Sequence, residues 1–184
     1  MQTRRGSKAP RQAFVLIGME YFDVVDEKNK VIGKAPRDEV HAKGLYHRAV
    51  TILVISSEGK ILIGKRSVKK DLYKGFYQCV AGHLSSGESY AETAKREMKE
   101  EIGIVCPLKK IFEFKRFVKD GNKIDNEFVQ VFSCVHNGPF TIDKNEFDYM
   151  KFFSIQEIKE ILQKEKVTPS TRLALERYME MKNK

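Results

Sequence analysis

The sequence predicts an α/β fold in which a mixed β-sheet lies between layers of helices. Apolar runs of strand length, separated by turn residues, fill much of residues 49–80 and 110–153. One segment with helical periodicity lies between them, and two amphipathic segments end the chain. Strands, a helix, more strands and then helices are the order expected when helices cover a central sheet. With 184 residues, 41% of them hydrophobic, the chain has the size of one domain with short extensions.

The N-terminal part divides into two predicted segments. Residues 1–12 carry four basic residues and no acid, so we expect a disordered basic arm, with a tag remnant or a short targeting segment as alternatives. Residues 13–47 are expected to form an extension. Within it, apolar runs on either side of residues 27–30 predict a β-hairpin, and Pro36 begins a short helix. The main domain then spans residues 48–184.

The main domain opens with a predicted hairpin, residues 49–55 and 60–66 around a turn at 56–59. Further strands are expected at residues 76–80, 110–118, 127–135 and 149–153, with a turn at Asp120 and Gly121 and a break at Asn137, Gly138 and Pro139. Ser154 caps a predicted helix over residues 155–164, and Pro169 begins the last one. Its inward-facing side chains should be Leu173, Leu175, Tyr178 and Met179.

Three acids dominate the helical segment at residues 89–102. Glu97, Glu100 and Glu101 stand at i, i+3 and i+4, so they share one helix face. Carboxylates this close repel and raise one another's pKa unless a cation lies between them. Clustered oxygen ligands suit Mg²⁺ or Mn²⁺ rather than zinc. The alternative is a solvated helix face, which is what most charge runs form.

The flanking residues favour the metal interpretation. Gly103 follows the last turn as a C-cap, and Gly82 and Gly87 allow the preceding loop to bring its backbone close to a metal or phosphate. By helical spacing, Arg96 should face differently from the acids.

Residues 82–104 fit the pattern G-x5-E-x7-R-E-U-x-E-E-x-G-U, with U aliphatic, and so resemble the Nudix box. The resemblance implies the Nudix fold, an α/β/α sandwich with a mixed sheet, and a metal-dependent enzyme that cleaves diphosphates. It implies Mg²⁺ or Mn²⁺ held by Glu97, Glu100, Glu101 and the Gly82 carbonyl. It also implies that Arg96 pairs with Glu88 and holds the loop to the helix.

Residues 21–101 further resemble a Nudix subgroup related to isopentenyl diphosphate isomerase. That resemblance implies a second metal site, binding Zn²⁺ or Mn²⁺, formed by His41, His47, His83, Asp125 and Glu127. Two features depart from the isomerase pattern, because the first two histidines lie one residue closer together and Asp125 replaces a glutamate. The alternative is that His41 and His47 are ordinary helix and loop residues.

Isomerase chemistry itself is disfavoured by one missing residue. The isomerase uses a cysteine two positions before the histidine of its G-H pair, and that position here is Ala81. Cys79 lies two residues before Ala81, and about 7 Å from it if the segment is a strand. The acidic run that isomerases carry in degraded form is intact here, which favours a diphosphatase.

The sequence therefore predicts a Nudix hydrolase in which water attacks a nucleoside diphosphate linked to another group, or a related diphosphate. The predicted catalytic residues are Arg96, Glu97, Glu100, Glu101 and Glu127. The general base is Glu97, Glu127 or Glu146. Lys65 and Arg66 either grip phosphate or are solvent-exposed bases. Phe76, Tyr77 and Phe132 either stack on a base or fill the core.

Charge and cysteine usage limit the partners and the compartment. A net charge of +9 suits a small anionic diphosphate substrate, and it also leaves a nucleic-acid role open. Three unpaired cysteines and no secretory segment predict a cytoplasmic protein, and no apolar run is long enough to cross a membrane. A homodimer and a catalytically silent nucleotide- or RNA-binding module are also open.

Overall fold

The computed structural model of the protein describes residues 19–70, 72–120 and 123–183. In chain order, its strands are β1 (Tyr21–Val25), β2 (Val31–Pro36), β3 (Tyr46–Ile55), β4 (Ile61–Arg66), β5 (Tyr77–Gln78), β6 (Val80–His83), β7 (Lys109–Asp120), β8 (Lys123–Val135) and β9 (Phe147–Phe153). Its helices are α1 (Arg37–Lys43), α2 (Tyr90–Ile102), α3 (Ile155–Lys164) and α4 (Pro169–Lys182). The basic arm predicted for residues 1–12 lies outside the described residues.

Strands β3 to β9 form one sheet, in which β5, β4, β3, β8 and β7 lie side by side while β6 pairs with β3 and β9 with β4. β3 and β8 run parallel, from Tyr46 opposite Asn126 to Ile55 opposite Val135. The other ladders are antiparallel. Parallel neighbours need a long connection, and here it contains α2. The mixed sheet confirms the predicted fold class.

Helices cover both faces of this sheet. On one face Met98 of α2 packs in a buried cluster with Ile52 of β3. On the other face Leu175 of α4 and Ile158 of α3 share a cluster with Leu53, the next residue of β3. Successive strand residues point to opposite faces, so β3 contributes to both cores.

Two of the four side chains predicted to face inward from α4 are buried, Leu175 and Tyr178. Leu173 and Met179 are only partly buried, against the same cluster. Thr171 and Ala174 of the same helix are also buried.

The extension forms its own two-stranded sheet, in which β1 pairs with β2 and α1 follows directly. Asp23 fastens this hairpin to the loop before α2, because its carboxylate accepts hydrogen bonds from Ser86 Oγ at 2.7 Å and Gly87 N at 3.2 Å. Ser86 N donates in turn to the Tyr21 carbonyl at 2.7 Å. The division into arm, extension and main domain stays a prediction.

The predicted hairpin of the main domain is formed only at its turn. β3 and β4 pair at Ile55 and Ile61, after which β4 pairs with β9 and β5 instead. The reason is that β3 is already paired along residues 49–52 with β6 and along its whole length with β8. A strand has two edges, and both edges of β3 are occupied there.

Helix α3 offers a test of local stability away from the main cavity. Ser154 Oγ lies 3.3 Å from Glu157 N, and the Glu157 carboxylate accepts from Ser154 N at 2.7 Å, which completes a capping box. We expect Ser154→Ala to lower the free energy of unfolding by about 1 kcal/mol, because an amide at the helix start loses its partner. Urea denaturation measures the change. Ser154→Thr keeps the acceptor and is the matched control; equal losses in both variants would contradict the cap.

Candidate active site

Helix α2 is delimited by local signals that also orient its acids. Ser89 forms a capping box with Glu92 at its start. Gly103, with φ of 71°, ends it in the left-handed region that favours glycine. Ala94, Met98 and Ile102 bury one flank of the helix against the sheet. Glu97 and Glu101 lie along the edge of that flank and are buried as well.

Burial perturbs two of the three acids strongly. Glu97 and Glu101 are 9% and 3% exposed. Burial raises the pKa of Glu97 to about 7, even though the charge of Arg96 opposes the shift. Burial and the neighbouring Glu97 raise the pKa of Glu101 well above its ordinary value. Glu100 has a half-exposed side chain at the rim.

Arg96 donates hydrogen bonds to several residues of the box. It donates to both carboxylate oxygens of Glu88, at 2.9 and 3.0 Å, as the Nudix resemblance implies. It also donates to the His83 carbonyl at 3.1 Å, which ties the loop to α2. Arg96 was expected to face differently from the acids, but its Nη1 reaches Glu97 at 2.7 Å and Glu100 at 3.1 Å. The long side chain therefore bridges the two acids.

Gly82 is required by close approach rather than by backbone conformation. A Cβ atom at this position would lie 1.9 Å from Glu97 Oε1 and 2.1 Å from its Cδ. No side chain fits there while Glu97 keeps its position. The glycine therefore brings the backbone of β6 directly onto one of the box acids, although the role of its carbonyl as a metal ligand stays a prediction.

These acids line a cavity of about 440 Å³. Its lining includes Glu97, Glu100 and Glu101 from α2, and Glu146 from the turn before β9. Arg37 and Glu20 of the extension also line it and pair with each other at 3.2 Å. The cavity volume is of the size that holds a small molecule.

Only one of the two basic residues predicted to bind phosphate lines this cavity. Arg66 lies there, held by Gln78 Oε1 at 2.9 Å, and Lys70 accompanies it, paired with Glu146 at 2.7 Å. Lys65 points to the other face of β4, where its Nζ lies 4.9 Å from the centre of the Tyr77 ring. Neighbouring strand residues alternate in direction, so both could not face the cavity.

Three histidines meet an acid in the same cavity region. One ligand atom from each of His41, His47, His83 and Asp125 lies within 4.8 Å of the others. They come from α1, β3, β6 and β8. Burial, with the charges of His83 and His47, lowers the pKa of His41 to about 4, which keeps that imidazole neutral. His47 Nε2 and Asp125 Oδ1 are buried 3.4 Å apart, and neither makes a hydrogen bond of good geometry within the described part of the chain.

Glu127 lies beside this group, but its carboxylate is held by several other partners. It accepts from Arg116 Nε at 2.6 Å and Ser170 Oγ at 3.1 Å, and it lies 2.9 Å from His83 Nε2. Burial alone would raise its pKa, but the charge of Arg116, together with the hydrogen bond and charge of His83 and the charge of His47, outweighs burial and holds the pKa well below its ordinary value. A carboxylate that stays ionised and is bound on both oxygens is a poor proton acceptor, which argues against Glu127 as general base. It is also not one of the four grouped ligands.

Sequence reasoning missed Arg116, which is 8% exposed and pairs with both Asp125 and Glu127. It also missed Phe22 and Arg37 of the extension, for which no local signal exists. Tyr77 and Phe132 belong to the two buried clusters, so the core alternative holds for both. Neither they nor Phe76 are among the described residues that line the cavity.

The NUDIX domain family matches residues 45–177. The chain belongs to this family. A Nudix hydrolase of Yersinia pestis, itself uncharacterized, is 37% identical over 142 residues, which are 76% of each chain. The protein is thus a hydrolase that acts on acid anhydrides, as its sequence predicts.

Solved structures of low sequence identity share the Nudix fold. A Deinococcus radiodurans protein superposes with a TM-score of 0.73 at 20% identity, over 86% of this chain and 98% of that one. The NUDIX domain of Shewanella oneidensis NrtR, solved with ADP ribose, gives a TM-score of 0.59 at 13% identity, over 73% and 86%. In the described part of this chain, no helix combines the length and apolar character that crossing a membrane requires.

Proposed function

We propose that the protein is a divalent-metal-dependent Nudix diphosphatase in which water cleaves a nucleoside diphosphate linked to another group. The observation that carries this proposal is the pair of buried acids, Glu97 and Glu101, at the wall of a cavity that also presents Arg66 and Lys70. Acids in such a place are costly to ionise without a cation. Basic side chains in the same cavity suit the phosphates of a substrate.

The residues fit a hard divalent cation. Glu97, Glu100 and Glu101 supply oxygen donors, and Gly82 leaves space where any Cβ would collide with Glu97. We assign Mg²⁺ or Mn²⁺ to these three acids together with the Gly82 carbonyl. When bound, such an ion neutralises phosphate charge and makes water a stronger nucleophile.

Side chains of the protein position the acids, bind the phosphates and accept the proton. Arg96 holds Glu97 and the loop carbonyl of His83 in place, so the acids meet the substrate in a fixed arrangement. Arg66 and Lys70 bind the phosphates. The proton of the attacking water goes to Glu97 or Glu146, both of which line the cavity.

We also propose a second cation site at His41, His47, His83 and Asp125. Its support is the convergence of four ligand atoms within 4.8 Å of one another. Two of them, His47 Nε2 and Asp125 Oδ1, lie 3.4 Å apart without a hydrogen bond of good geometry, and an ion bound by both would give each a partner. Three imidazoles with one carboxylate suit Zn²⁺ or Mn²⁺.

An isomerase-like reaction is the second candidate, favoured by that histidine group. It is opposed by Cys79, which is fully buried in the core beneath α4 and whose pKa burial raises to about 12. The thiol is therefore unable to replace the cysteine missing at Ala81.

One assay separates these candidates. The protein is incubated with Mg²⁺ or Mn²⁺ and, separately, ADP ribose, nucleotide sugars, dinucleotides, deoxynucleoside triphosphates, capped RNA and isopentenyl diphosphate. Phosphate-ester products that depend on metal support the proposal. Formation of dimethylallyl diphosphate would replace it with the isomerase, and metal-independent binding without turnover would replace it with a silent binding module.

Metal binding should also change how the stability of the folded protein depends on pH. Because the pKa of folded Glu97, about 7, lies above the ordinary 4.5, the metal-free folded state holds an extra proton between those values. Stability of the metal-free protein should therefore fall as pH rises from about 5 to 7. We expect Mg²⁺ to raise the melting temperature clearly at pH 8 and little at pH 5, as measured by calorimetry after chelator treatment.

Glu97→Gln is the control for that experiment, since it removes the titrating carboxylate. It should flatten the pH dependence and reduce the shift caused by Mg²⁺. An equal Mg²⁺ shift at both pH values would contradict the assignment of the ion to these acids.

A further inference from the structure

One phenyl ring touches all three histidines of the second site. Phe22, on β1, is completely buried. Its ring stacks on His47, with centroids 5.4 Å apart and planes 13° apart. It lies 5.0 Å from the His83 ring at 31°, and its edge meets His41 at 6.0 Å and 83°.

The position of Phe22 is fixed from two sides. Within the extension it pairs with Ala35 of β2 and packs with Val40 of α1. Toward the main domain it forms an isolated bridge with Ser85. The next residue, Asp23, holds the loop through the hydrogen bonds described above. The ring therefore has little freedom to move relative to the histidines.

An imidazole can turn about its χ2 torsion, which has broad minima. His41 and His47 each place Nδ1 close to a backbone carbonyl, at 2.9 Å from Arg37 O and 3.1 Å from Leu45 O. Those contacts fix one ring atom, and a flat aromatic contact fixes the plane of the ring. In metal sites, changing the groups that orient the ligands typically lowers metal affinity about 10- to 100-fold.

We infer that Phe22 is a positioning residue that packs the imidazoles of His41, His47 and His83 so that their nitrogens converge on one cation. The inference rests on the proposed second cation site. Phe22 contributes no ligand atom. It sets the ring planes and excludes water from one side of the group.

The test measures Zn²⁺ affinity by competition with a chromogenic chelator, and ligand geometry from the visible spectrum of the Co²⁺-loaded protein. Phe22→Ala is expected to weaken Zn²⁺ binding about 10- to 100-fold and to alter the Co²⁺ bands. Phe22→Leu refills most of the volume but supplies no flat ring, so stability should recover more than affinity. Val25→Ala, in the same strand and also buried, is the matched control for general loss of packing.

Wild-type affinity in Phe22→Ala, or an equal loss in Val25→Ala, would overturn the inference. Full recovery of affinity in Phe22→Leu would assign the effect to volume and also overturn it.

The proposed site is judged separately, by His83→Ala, which should remove the nitrogen-ligated Co²⁺ bands. If those bands persist, the site itself fails. The orientation of the rings is then decided in the metal-free protein by NMR. Nuclear Overhauser contacts between the three imidazoles should be lost in Phe22→Ala and kept in Val25→Ala; contacts that persist in Phe22→Ala would overturn the inference.

Discussion

Glu101→Gln is expected to lower kcat by roughly 10³-fold or more while the protein stays folded. Glu101 is 3% exposed, and its Oε2 accepts a hydrogen bond from Ala81 N at 3.2 Å. Glutamine has the same shape and keeps an oxygen for that amide, so the change removes a charge and little else. Steady-state rates with saturating Mg²⁺, on a substrate found in the screen, measure the effect.

Two comparisons make this result specific. Glu180→Gln changes the same charge at an exposed position of α4 and should leave kcat unchanged. The melting temperature of metal-free Glu101→Gln should not fall, because a buried carboxylate has been neutralised. Near-wild-type turnover in both Glu100→Gln and Glu101→Gln would refute the assignment of the ion to this helix.

Gly82→Ala should reduce kcat/KM by about 100-fold, since displacing a reacting group by about 1 Å costs that much. The added Cβ would lie 1.9 Å from Glu97 Oε1, so Glu97 or the β6 backbone must move. Either movement separates the acid from the position that Arg96 gives it. Kinetics and Mg²⁺ titration of the purified variant measure both consequences.

Gly33→Ala is the matched control for that substitution. Gly33 also lies in a strand, and a Cβ there meets nothing within 4 Å. Activity should be retained in this variant. If Gly82→Ala bound Mg²⁺ and turned over like Gly33→Ala, close packing between β6 and Glu97 would not matter for function.

The features predicted well from the sequence were those encoded over short distances. The helix bearing the acids starts at a capping serine and ends at a glycine, and both signals lie within one turn of the boundary. The face shared by Glu97 and Glu101 follows from helical spacing alone. The path of Arg96 does not, because a long side chain with several rotatable bonds chooses its partners in three dimensions.

Long-range pairing explains most of what was missed. The parallel pairing of β3 with β8 brings His47 opposite Glu127, 80 positions further along the chain, and only the family resemblance anticipated it. Arg116 was within reach of reasoning, because a hairpin with Asp120 opposite Lys123 places it opposite Glu127. Lys65 and Arg66 could have been separated by strand alternation, since one residue of an adjacent pair must face away.

The hydrogen bonds that join Asp23 to the loop before α2 affect where the chain can be truncated. The segment matched by the family begins at residue 45, whereas Phe22, Arg37 and His41 precede it. A truncated protein starting there would keep every box residue but would lack Arg37 and His41, which line the cavity in the full chain. It would also lack Phe22, which packs against His47 and His83.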